Sequence, residues 1–144
     1  MEAILMGRLW AFIAQNNPDL RLSLENDFAV QKYLEEKVEN VVPLLEGLLK
    51  QGRPLYAIEE LCMNELTRDL YPSKFNYIAH ILEVDFEQTY EQYRANGLLT
   101  YEVINMINVC NPLFEQLGFS EENAESRQVN YAITGAIAAY LQSA

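Results

Sequence analysis

Residues 27–53 read DFAVQKYLEEKVENVVPLLEGLLKQGR, and the fold is decided there. Leu34, Val38, Val41, Leu45 and Leu48 recur at spacings of four and three, which puts them on one side of a helix. Charged residues fill half of the positions between, and Gly52 follows where a left-handed capping residue is expected. The spacing predicts a helix from about Asp27 to Leu49. Pro43 lies inside it and removes the amide that would bond to the Glu39 carbonyl, so a kink is expected at that point.

The same periodicity continues outward in both directions. Upstream, a helix runs to about Gln15 with Leu5, Leu9, Phe12 and Ile13 inward, and it stops at Asn17-Pro18. Downstream, Pro54 is a favoured first-turn residue and opens a third helix presenting Leu55, Ile58, Cys62, Leu66 and Leu70. A fourth starts near Ser73 and carries Phe75, Ile78, Leu82, Phe86, Tyr90 and Tyr93. A fifth begins at Thr100 with Ile104, Ile107, Phe114 and Leu117, broken or kinked at Asn111-Pro112, where Asn111 can cap the second half. The sixth spans Arg127 to Gln142 and buries Val129, Ile133, Ala136, Ile137 and Tyr140. Gly97 and Gly118 punctuate as Gly52 does, and Ser73, Thr100 and Ser120 are placed to accept from first-turn amides. Alternating strand patterns and hairpin dipeptides are absent. The expected fold is all-α, a single compact bundle of about six helices kinked near Pro43 and Pro112. With no internal repeat, low-complexity tract or linker to divide it, the chain reads as one domain over residues 1–144.

A chain of 144 residues with half its side chains hydrophobic can close a core without a staple. Cys62 and Cys110 sit inside apolar helical patterns and read as reduced, buried thiols, which points to the cytoplasm. The opening Met1-Glu2-Ala3-Ile4-Leu5-Met6-Gly7-Arg8 lacks a basic n-region and is not expected to be a signal peptide. The uncharged apolar stretches fall short of the ~20 residues of a membrane span. Net charge is −11. Bases against acids number six to eight in residues 1–53, three to eight in 54–99 and one to five in 100–144. After Lys74 the remaining bases are Arg94 and Arg127. Such a chain cannot neutralise a row of phosphates, so neither direct nucleic-acid binding nor an anionic membrane is expected. A basic protein surface would be attracted, although solubility alone also explains an acidic balance.

Catalytic chemistry fails largely on inventory. With one histidine, His80, the His-x-x-Glu step to Glu83 lacks the second histidine of a di-iron bundle, and the two cysteines are too far apart in sequence for a CxxC pair. There is no nucleophile elbow, no Gly-x-Gly step and no phosphate-cradling loop. No catalytic residue, metal ligand or cofactor is expected. Carboxylates remain: Glu59-Glu60, Glu121-Glu122, and Glu83, Asp85, Glu87 and Glu91. Glu83, Glu87 and Glu91 at four-residue spacing form one stripe of the fourth predicted helix, a solvated face or a docking face for a basic partner. Nine tyrosines cannot all be deep core, because each hydroxyl wants a partner. Many belong at the core boundary, and others, with Tyr77 taken beside the acidic stripe, suit an interface. Gly135 interrupts the sixth helix, and a close helix approach to the small face of Ala132, Gly135, Ala136 and Ala139 is expected to offset its cost.

Glu59-Glu60, Asn64-Glu65-Leu66, Leu70-Tyr71-Pro72-Ser73-Lys74-Phe75, Ile81-Leu82-Glu83-Val84-Asp85-Phe86 and Tyr131-Ala132-Ile133-Thr134-Gly135-Ala136-Ile137 together resemble a small bacterial family filed as domain of unknown function number 1896. The resemblance covers most of the chain, rests on packing and capping residues, and departs at Pro72 and at Asp85, where a glutamate is expected. It implies an all-helical bacterial protein without assigned activity, sometimes found near mobile elements, and carries no catalytic residue across. The expected function is a non-catalytic acidic protein-interaction module with a protein partner of basic character, docking through Glu83, Glu87, Glu91 and Tyr77. A homodimer stays open. The alternatives are an anionic decoy that occupies a nucleic-acid-binding protein, and an enzyme working by carboxylates alone.

Overall fold

The computed structural model describes residues 1–143, and these are helical with no strand among them. Eight α-helices are present: α1 Glu2–Asn16, α2 Pro18–Asn26, α3 Val30–Lys50, α4 Leu55–Leu66, α5 Lys74–Asp85, α6 Glu87–Ala95, α7 Leu99–Leu117 and α8 Arg127–Ser143, with a 3₁₀ turn at Arg68–Leu70. Two helices more than expected appear, for two separate reasons. The Leu20, Leu22 and Leu24 of α2 alternate in twos, which masks a helical face; Pro18 starts that helix at a position where its missing amide costs nothing. The predicted fourth helix is really two, because Phe86 leaves helical geometry at φ −134°, ψ 52° and becomes the last cap of α5 and the first of α6. Pro43 and Pro112 both lie within continuous helices. Asn111 does not cap a second half of α7; its Oδ1 accepts from Lys74 Nζ at 2.9 Å.

Where one domain is expected, the described chain divides into two compact units, Met1–Leu70 and the residues from Tyr71 onward. Each has its own apolar cluster. In the first, Leu5, Leu9 and Ile13 of α1 meet Val38, Val41 and Leu45 of α3 and Ile58, Cys62 and Leu66 of α4. In the second, Ile78 and Leu82 of α5 meet Val103, Ile107, Cys110 and Phe114 of α7 and Val129, Ile133 and Ile137 of α8.

Contrary to the expectation of no internal repeat, the first three helices of each unit run alike at an offset of 69. Asn17 and Phe86 share a bend (φ −136°, ψ 56° and φ −134°, ψ 52°), and each is followed by a nine-residue helix. Asp27 and Asn96 end those helices at φ −92° and −93°, and Val30 and Leu99 begin the long ones. Pro43 coincides with Pro112, and PLLEGL at 43–48 with PLFEQL at 112–117. Six buried pairs coincide: Leu9 with Ile78, Ile13 with Leu82, Leu34 with Val103, Val38 with Ile107, Val41 with Cys110 and Leu45 with Phe114. In α4 and α8 the offset becomes 71, as the four-residue core spacing of Ile58, Cys62 and Leu66 reappears in Val129, Ile133 and Ile137. Two sequences with few identities thus place apolar side chains at the same turns, because the core needs volume and hydrophobicity rather than particular residues.

Among the capping expectations, Ser73 accepts from the Asn76 amide at 3.0 Å. Thr100 lies inside α7, and Ser120 sits in the loop before α8, where Ser126 accepts from the Val129 amide at 3.3 Å instead. The helix approach expected at Gly135 is not made: the residue is exposed, and a Cβ there would meet nothing within 4 Å.

Candidate functional site

The four residues expected to form one face stand on two helices. Glu83 stands near the end of α5, whereas Glu87 and Glu91 lie on α6 beyond the bend at Phe86, so four-residue spacing across that non-helical residue no longer means one stripe. All three carboxylates are exposed. Glu91 pairs with Arg94 at 3.6 Å. The Arg94 guanidinium in turn lies 5.8 Å from the centre of the Tyr90 ring. Glu83 is the hydrogen-bond partner of the Tyr90 hydroxyl; burial first, and then this carboxylate, push that phenol above its ordinary range.

Tyr77 belongs elsewhere. It packs edge-on to Phe119, 5.0 Å between ring centres, and to Phe114 at 6.2 Å. Its hydroxyl oxygen is buried beside Asn130. Burial raises the phenol, the Asn130 side chain opposes that, and the Glu125 charge adds to it. Tyr77 also lines a hollow of about 310 Å³ together with exposed His80, Glu125, Ser126, Arg127, Asn130 and Tyr131. The lone histidine therefore opens onto a mixed-charge surface depression at the start of α8. In the first unit a hollow of about 270 Å³ is edged by charges that are already paired, Lys37 with Asp69 at 2.9 Å and Arg68 with Glu65 at 2.7 Å. A third hollow holds Glu2, Glu35 and Glu39 around Met6 and Val38. Among the described residues no group of three His, Cys, Asp or Glu side chains is placed to hold a metal ion.

Both thiols are buried. Burial raises each, and it pushes Cys110 up to about 11. At neutral pH these are packing atoms rather than nucleophiles. The tyrosines separate into two groups. Tyr33, Tyr77, Tyr90, Tyr93 and Tyr140 are half-buried, and Tyr140 donates to Glu102 Oε2 at 2.9 Å. Tyr56, Tyr71, Tyr101 and Tyr131 are exposed. The core-boundary expectation describes the first group; the second is apolar area left in water.

One exposed aromatic was not singled out by sequence. Phe28 is 96% exposed and has φ +55°, in the left-handed region. Nothing in the local pattern marks it, since the sign of φ at a helix end is not legible in a phenylalanine. A comparison of residues 69 apart would have found it, because its counterpart is Gly97. No helix of the described residues is long and apolar enough to cross a membrane. No protein-family model, curated protein or solved structure matches the chain.

Proposed function

We propose that this chain is a non-catalytic, acidic protein-interaction module whose partner is a basic protein. The observation that supports the reading is a set of rings more than half open to water, Phe28, Tyr56, Tyr101 and Tyr131, on a chain of net charge −11. Exposed aromatic area on an acidic chain recruits a partner in two ways. Charge brings a basic surface in from a distance, and the rings supply apolar contact once water is expelled. The two buried thiols offer no nucleophile, and the resemblance to the bacterial family of unknown function implies no chemistry that competes with this reading.

The test is affinity capture from the native cell with mass-spectrometric identification, at about 0.05 M and about 0.5 M salt, where the screening length drops severalfold. A basic protein held at low salt and released at high salt is the expected result. Reversal of Glu83, Glu87 and Glu91 to lysine weakens its retention. A retained set without basic character, or retention indifferent to salt, overturns the proposal. Displacement of the partner by duplex DNA moves the reading to an anionic decoy.

A further inference from the structure

The same hydrogen-bonded turn closes four helices of this chain. After α2 the Phe28 amide donates to the Glu25 carbonyl at 3.2 Å and the Ala29 amide to the Leu24 carbonyl at 2.9 Å. After α6 the Gly97 amide donates to Arg94 at 3.2 Å and Leu98 to Tyr93 at 2.8 Å. Gly52 with Arg53 and Gly118 with Phe119 repeat the arrangement after α3 and α7. The pattern requires a left-handed residue at its first position, where glycine alone escapes the clash of a Cβ with the following carbonyl. Three of the four turns use glycine, at φ 69°, 69° and 62°. The fourth uses Phe28, at φ 55°.

The second unit is thus a built-in control. At the equivalent position of the same turn Gly97 and the following Leu98 make the same two bonds, so the fold does not need a side chain there. Nor does the Phe28 ring return anything to the fold, being 96% exposed. A bulky residue held in strained backbone for no packing gain points to a role outside the folded chain. The charge of the chain says what kind: Asp27 precedes the ring, Glu25 nearby is already paired with Arg21 at 2.9 Å, and the chain as a whole carries −11.

We infer that Phe28 is the anchor of a docking surface, entering an apolar pocket edged by Lys or Arg on a basic protein partner. This rests on the interaction-module reading and adds to it the residue that decides binding. Rings at such centres account for most of an interface's energy, and a net charge of −11 suits a basic rim. The same net charge disfavours a second copy of this chain or an anionic lipid surface as the occupant.

Two measurements on the full chain test it. First, Phe28→Gly raises Tm by roughly 2–4 °C, because strain is relieved and no contact is lost; a fall in Tm would show that the ring serves the fold and would overturn the inference. Second, a photo-reactive benzoylphenylalanine placed at position 28 is irradiated in native-cell extract. The expected product is one cross-linked basic protein. Excess wild-type chain suppresses it, whereas the Phe28→Gly chain competes about thirtyfold less well. Phe28→Ala, which keeps the strained backbone but lacks the ring, competes as poorly as Phe28→Gly. Equal competition by wild type and variant, cross-linking to a second copy of this chain or to lipid, or no specific product at all each overturns the anchor. A salt-sensitive basic partner still captured in any of those cases leaves the broader reading standing; its absence at low salt removes both.

Discussion

Phe114→Ala is the perturbation that best measures the second unit's core. The ring is 2% exposed and lies 4.6 Å from Phe119 and 6.2 Å from Tyr77, centre to centre, with the Lys74 ammonium 5.3 Å from its own centre. Truncating a buried phenylalanine to alanine costs about 3–5 kcal/mol through lost transfer energy and the cavity left behind. Aromatic pairs add roughly 0.5–1.5 kcal/mol beyond area, which places this site in the upper part of that range, at about 4–5 kcal/mol. Phe114→Leu installs the residue that the first unit uses at the equivalent Leu45. It keeps most of the volume and gives up the ring contacts, so a cost of about 1.5 kcal/mol is expected. Urea unfolding at 25 °C, followed by far-UV circular dichroism and extrapolated to water, reads both values. The alanine loss approaches the whole stability of an ordinary domain, about 5–15 kcal/mol, and the leucine variant keeps the test decisive. A loss under about 2 kcal/mol for alanine, or a leucine as costly as alanine, would refute the placement of this ring at the centre of the cluster.

Two further outcomes follow from single residues. Gly135→Ala gains about 1 kcal/mol, since the helical position is exposed with nothing within 4 Å of a new Cβ, whereas Gly118→Ala loses about 1 kcal/mol because φ there is 62°; thermal unfolding of the pair tests the opposite signs, and two shifts in one direction would count against both assignments. The Cys110 thiol keeps its proton to about 11 in the folded chain but releases it near its ordinary value when unfolded. Stability from the neutral thiol is then complete below pH 9 and is lost as pH climbs toward 11. Half-buried Tyr77 and Tyr140, also raised, add to the loss above their ordinary value of 10.0. Cys110→Val, the residue that the first unit places at Val41, should flatten the pH 9–11 part of a urea-midpoint profile; a profile unchanged by it would remove the thiol from the account.

The helices were legible wherever apolar residues recurred every three or four positions over several turns, as in 34–48 and 129–137, because a buried stripe leaves that period in any sequence. Asn17-Pro18, Ser73 and the three left-handed glycines were legible for a similarly local reason. The bend at Phe86 was not, since a phenylalanine continues a helical pattern as well as it ends one, and it divides Glu83 from Glu87 and Glu91 between two helices. The cost of Gly135 was readable from the chain, but the open space around it was not.

The linear chain by itself determined that this protein is helical, anionic and short of imidazole and accessible thiol, because those properties depend on composition and on contacts a few residues apart. Only the tertiary structure decided that the apolar faces close into two similar cores, for at the 69-residue offset side-chain identity has drifted and mainly buried volume and backbone angle persist. The same comparison picked out Phe28. Its significance depends on φ and on how much water the ring meets, and both are set by three-dimensional packing.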